Sequence, residues 1–86
     1  MSLAEMTEDV RGILLGMTET TWEKDKADLI RAMLRLRRAC EQEKRTRAMH
    51  ELEVWISVVQ ICGSPRDVAV AKIPEAVRNL RRMVGE

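Results

Sequence analysis

Apolar residues recur at helical spacing along almost the whole chain, and the points where they stop outline its elements. Met6, Val10, Ile13 and Leu14 share one face of a first segment, Ala4 to Leu15. Its early acids Glu5, Glu8 and Asp9 suit the positive end of a helix, and Gly16 supplies a stop. Trp22, Leu29, Met33, Leu36 and Cys40 form a second stripe, widened by Ile30 and Leu34. Thr18, Thr20 and Thr21 are its candidate caps, and Glu23 stands where a capping box begun at Thr20 would close. A third stripe, Met49, Leu52, Trp55, Ile56, Val59 and Cys62, has Val54, Val58 and Ile61 on the neighbouring face. After Gly63, the run Ser64-Pro65-Arg66-Asp67 has the form of a helix start, with a capping hydroxyl, Pro at the first position and an acid in the first turn. Ile73, Val77, Leu80 and Val84 give the last inward face, with Arg78, Arg81 and Arg82 near its end. Pro74 either divides this stretch into two helices or kinks one. Residues 1–3 and 85–86 enter no element.

The middle of the chain lacks punctuation: the 46 residues from Met17 to Cys62 contain neither Gly nor Pro. As one helix they would extend about 70 Å, against a diameter near 30 Å for a chain of this length folded on itself. The polar run Glu41 to Arg47 interrupts the apolar stripe, so a fold-back near Lys44 to Arg47 is expected. A straight rod covered by a second chain is the alternative. Leu52, Val54, Ile56 and Val58 also alternate as a strand would, but a lone strand has no partner for its backbone groups, and the segment reads as helix. The expected fold is all-α, a single helical domain over residues 1–86. It is a small antiparallel bundle of three to four helices, or one with a long central helix and packing between subunits.

Composition narrows this further. Of 86 residues, 45% are hydrophobic, yet only two are aromatic, Trp22 and Trp55. A core of Leu, Ile, Val, Met and Ala suits helix-on-helix packing, but so short a chain hides only about two-thirds or less of its unfolded surface. Pairing is the usual remedy, so a homo-oligomer or a protein partner is expected. The contact would lie at Trp55, Ile56 and Val59, or at Leu29, Met33 and Leu36. No apolar run approaches the roughly 18 residues of a membrane span, and no signal-peptide pattern opens the chain. Cys40 and Cys62 read as reduced, buried thiols, which fits a cytoplasmic protein.

Charge is balanced overall at +1 but unevenly placed: residues 1–28 are net −4 and residues 29–47 net +5. Such a dipolar chain can orient a second subunit or an anionic partner, while solvated helix faces laced by pairs such as Glu43 with Arg47 explain much of it. Arg35, Arg38, Lys44, Arg45 and Arg47 are the candidate anion-binding residues, and a polyanion or nucleic acid is the alternative partner. With no Phe or Tyr to stack bases, contacts would fall on phosphates and depend steeply on salt.

Little in the chain points to chemistry. His50 is the only His, and with Cys40 and Cys62 it lacks a fourth ligand and any close-spaced pair for zinc. No catalytic residue, metal ligand or cofactor is assigned. Glu5 with Glu8 and Asp25 with Asp28 are two carboxylate pairs, each three residues apart on successive helices. This spacing resembles the magnesium-holding carboxylates of the all-α nucleotide pyrophosphatases, with Asp in place of Glu in the second pair. The resemblance implies a divalent-metal-dependent hydrolase as a second alternative. The first expectation is an assembly or protein-interaction module without catalysis.

Overall fold

Five helices carry the chain in the computed structural model, which describes residues 1–85: α1 (Leu3–Gly16), α2 (Trp22–Gln42), α3 (Thr46–Ile61), α4 (Pro65–Val70) and α5 (Ile73–Gly85). The protein is all-helical, with no strand among the described residues, so the alternating segment Leu52 to Val58 is wound as α3. Its radius of gyration is 11.9 Å and its extents are 36 × 21 × 17 Å, too short to hold a rod of 46 helical residues. The α2 and α3 helices pack along each other, α1 lies between α2 and α5, and α5 also closes on α3 and α4.

The fold-back comes where the apolar stripe falls silent, but no glycine makes it. Lys44 takes a left-handed conformation (φ 59°). That lets the Arg45 amide donate to the Cys40 carbonyl (2.7 Å) and the Lys44 amide to that of Glu41 (3.2 Å). These two bonds form a Schellman motif, which ordinarily places Gly at the position Lys44 holds. Lys72 (φ 60°) plays a similar part between α4 and α5, where it separates two helices beside Pro74.

Three helix starts differ in how they are capped. The α1 helix begins at residues that the sequence pattern leaves out. Ser2 accepts the Glu5 amide at its hydroxyl (3.1 Å), the Ser2 amide reaches back to the Glu5 carboxylate (3.5 Å), and Leu3 is buried. At α2 the expected Thr20–Glu23 box is replaced by an arrangement around Thr21. The Thr21 amide donates to the Thr18 hydroxyl (3.1 Å), and the Thr21 hydroxyl donates to the Asp25 carboxylate. At α4, Ser64 accepts the Asp67 amide (3.4 Å) while the Asp67 carboxylate accepts the Gly63 amide (2.9 Å).

The core follows the stripes. Trp22, Leu29, Met33, Leu36 and Cys40 from α2 meet Ala48, Leu52, Trp55, Ile56 and Val59 from α3, and Ile73, Val77, Leu80 and Val84 from α5 close the other side. From α1 come Leu3, Val10 and Thr7, whose buried hydroxyl is satisfied by the Leu3 carbonyl (2.8 Å). Two polar ties cross between α2 and α3. Arg37 binds Glu53 through both Nε (3.0 Å) and Nη2 (2.7 Å). Lys26 donates to the carbonyls of Gln60 (2.9 Å) and Cys62 (2.8 Å), with its Nζ 5.8 Å from the centroid of the Trp22 ring.

Candidate functional site

The six residues expected at a contact all lie inside this chain's own core. Leu29, Met33, Leu36 and Val59 are wholly enclosed, and Trp55 and Ile56 show less than a tenth of their surface. Their stripes are spent on packing α2 against α3, so an intact bundle offers none of them to a partner. Apolar surface is left elsewhere. Val54 and Ile61 are exposed on the far side of α3 and Val58 between them is half-buried, while Leu15, Leu34 and Val70 stand apart on other helices.

A groove of about 650 Å³ lies between α1 and α2. Small residues line both walls, Gly12 and Gly16 on α1 and Ala32 on α2, and leave them without bulk there. A methyl placed on either glycine would meet no atom within 4 Å. Half-buried Met6 and Ile13 supply an apolar floor. The α2 wall carries charge in order along its length, with Asp25 and Asp28 toward the helix start and Arg31 and Arg35 further on.

These charges are only partly used within the chain. Asp28 meets Arg31 (3.5 Å) and Lys24 (3.8 Å), both contacts well exposed. Asp25 accepts the Thr21 hydroxyl. Asp9 and Arg35 line the same groove and have no ion-pair partner within 4 Å among the described residues. On the other flank of α1, Glu8 turns toward α5 and pairs with Arg81 (3.1 Å) beside a second, smaller cleft of about 190 Å³.

The basic residues of the alternative reading divide between two places. Lys44, Arg45 and Arg47 sit at the α2–α3 corner, Arg38 lies one turn before it, and Arg35 belongs to the groove. The corner is costly locally. Lys44 is left-handed, the Arg45 side chain gives α3 no cap, and Arg47 sets positive charge in a first turn that has no acid. The Arg45 Nε is buried without a hydrogen-bond partner. The expected Glu43–Arg47 pair does not form, because the turn at Lys44 breaks the one-turn spacing that such a pair needs.

The residues weighed for chemistry are dispersed. Glu8, Asp25 and Asp28 line the groove, but Glu5 is turned to the Ser2 cap, and among the described residues no three His, Cys, Asp or Glu side chains gather as a metal-holding group. His50 is exposed in α3. Cys40 lies in the last turn of α2, whereas Cys62 follows α3 beside Lys26, fourteen residues back along α2 from Cys40. The rise of a helix separates them by about 20 Å, far beyond disulfide reach. Burial pushes both thiols above their ordinary pKa. At Cys40 the Glu43 carboxylate adds to this and Arg45 opposes it, and at Cys62 Asp67 adds and Lys26 opposes.

The groove escapes a reading of single helices because each wall is unremarkable alone: a helical Gly looks like a weak point and Ala32 like filler. The available signal is the coincidence of two small-residue positions, Gly12 and Gly16, with the Asp25-Asp28-Arg31-Arg35 order on the next helix. No protein-family model matches the chain, and comparison with curated proteins and with solved structures likewise finds no match.

Proposed function

We propose that this chain is an assembly module: an antiparallel helical bundle that works by binding protein, as a homo-oligomer or as a subunit of a larger assembly, with no catalysis of its own. The observation that carries this reading is the open groove between α1 and α2, where an apolar floor and charges of both signs lie side by side. A surface of that make-up suits a protein partner, since apolar contact supplies affinity and the charges fix orientation. Reduced thiols at Cys40 and Cys62 suit a cytoplasmic setting. Sedimentation velocity over a dilution series tests the homo-oligomer. A mass above that of one chain at micromolar concentration is the expected result, and a monomer throughout overturns it.

A second reading rests on the α2–α3 corner. Lys44, Arg45 and Arg47 gather there with Arg38 nearby, and the Arg45 Nε is buried without a hydrogen-bond partner among the described residues. In this reading the corner holds a polyanion through phosphate or sulfate contacts. Heparin retention that falls steeply with salt and is lost in Lys44→Ala/Arg47→Ala would favour it. Elution in the void at low salt would dismiss it.

A further inference from the structure

We infer that the occupant of the α1–α2 groove is a second copy of this chain, docked about a two-fold axis that crosses α2 near residue 30. The inference rests on the assembly reading above and specifies its surface and register. The charge order on α2 carries the argument. Asp25 and Arg35 stand at equal distances on either side of residue 30, about 7.5 Å along the axis each way, and Asp28 and Arg31 flank the same point more closely. When two α2 helices run in opposite directions across this point, Asp25 of each copy faces Arg35 of the other, and Asp28 of each faces Arg31 of the other. A two-fold contact must be complementary to itself, and this wall is. Parallel docking would instead set Asp25 against Asp25 and Arg35 against Arg35, so the charges select one direction and one register.

The groove also has the shape such a contact needs. Gly12, Gly16 and Ala32 leave room for an approaching helix, and Ile13 and Met6 give it apolar surface to cover. Arg35, without an ion-pair partner among the described residues, gains Asp25 of the other copy. The Asp28–Arg31 pair is 38% and 65% exposed, so it is weakly held and free to exchange. A standard interface takes about 800 Å² from each partner, a modest share of the 5499 Å² that this chain exposes.

Charge reversal tests the register. Two variants of the full chain are made, Asp25→Arg/Asp28→Arg and Arg31→Asp/Arg35→Asp, with circular dichroism and thermal melting confirming that each is folded. Mass is then followed by sedimentation velocity over the same dilution series as the wild type. Each variant alone is expected to dissociate at least about tenfold more readily than the wild type, because its groove now meets like charge. Mixed in equal amounts, the two are expected to recover a dimer that neither forms alone. A wild-type dimer that survives both reversals overturns the groove and its register while leaving association itself standing. Reversals that dissociate the dimer without recovery on mixing overturn the two-fold pairing. A wild type that is monomeric throughout overturns the homodimer along with the proposal. If Asp25→Arg/Asp28→Arg does not fold, Arg31→Asp/Arg35→Asp and its salt dependence decide alone, and an unchanged dimer then sinks the inference.

Discussion

Lys26 secures the end of a helix to which it does not belong: its ammonium donates to the Cys62 carbonyl at 2.8 Å and shares itself with that of Gln60. The last carbonyls of α3 lack intrahelical donors, and a cation there also meets the negative end of the helix. Lys26→Met keeps the stem that packs beside Trp22 and removes the charge. Because the site is only partly buried, the expected loss is about 1–2 kcal/mol, read as a lower urea midpoint with an unchanged slope.

Replacing Lys44 with Gly is expected to stabilise the fold by about 0.5–1 kcal/mol, since a left-handed position costs any residue bearing a Cβ and the Schellman bonds of Arg45 and Lys44 would remain. A melting temperature that falls in Lys44→Gly would show that the Lys44 side chain contributes more than its backbone strain costs.

These two residues also explain which parts of the fold could be read from the sequence. Stripes such as Ile73, Val77, Leu80 and Val84 were legible to the residue, because inward positions on a helix repeat with a fixed period and all four are buried. The reversal at Lys44 was legible only as a silence in the stripe. Lysine carries no preference for left-handed backbone, so its conformation is imposed by the packing of α2 on α3. Leu3 and Ser2 were missed because a helix start with one apolar residue has no period to display. A single helix shows that its apolar face must be covered, but not by what. Here α1 and α3 pack against α2, and Leu29, Met33 and Leu36 are wholly enclosed. The groove is a property of two helices at once, and no single helix displays it.

The buried thiols make stability depend on pH in the alkaline range. Burial, reinforced by Glu43, raises the Cys40 pKa above its ordinary value of 9.0, so the folded chain holds that proton more tightly than the unfolded one. The contribution is fully present below the unfolded value and is lost as pH rises from there through the folded value. Urea midpoints should therefore drop as pH rises above about 9, and the drop should be shallower in Cys40→Ala, whatever that variant loses through its cavity. An equal slope in both proteins would show that Cys40 does not drive it.

Gly12→Ala is expected to raise the stability of the isolated chain by about 0.5–1 kcal/mol, because alanine is the better helix former and its methyl meets no atom within 4 Å. Thermal melting under dilute conditions reads this gain. Leu36→Ala runs the other way, as a wholly enclosed side chain between helices whose truncation costs about 2–5 kcal/mol. For so small a domain that is a large share of its stability, and the melting temperature followed by circular dichroism should fall steeply.

The ammonium held 5.8 Å from the Trp22 ring gives the protein an optical reporter of its own. With tyrosine absent, near-ultraviolet emission comes from two indoles, and only Trp22 has Lys26 over its ring. Substituting Trp55 with Leu isolates the Trp22 signal, so the parting of the α2 start from the α3 end would register as a change in emission colour, with no dye attached.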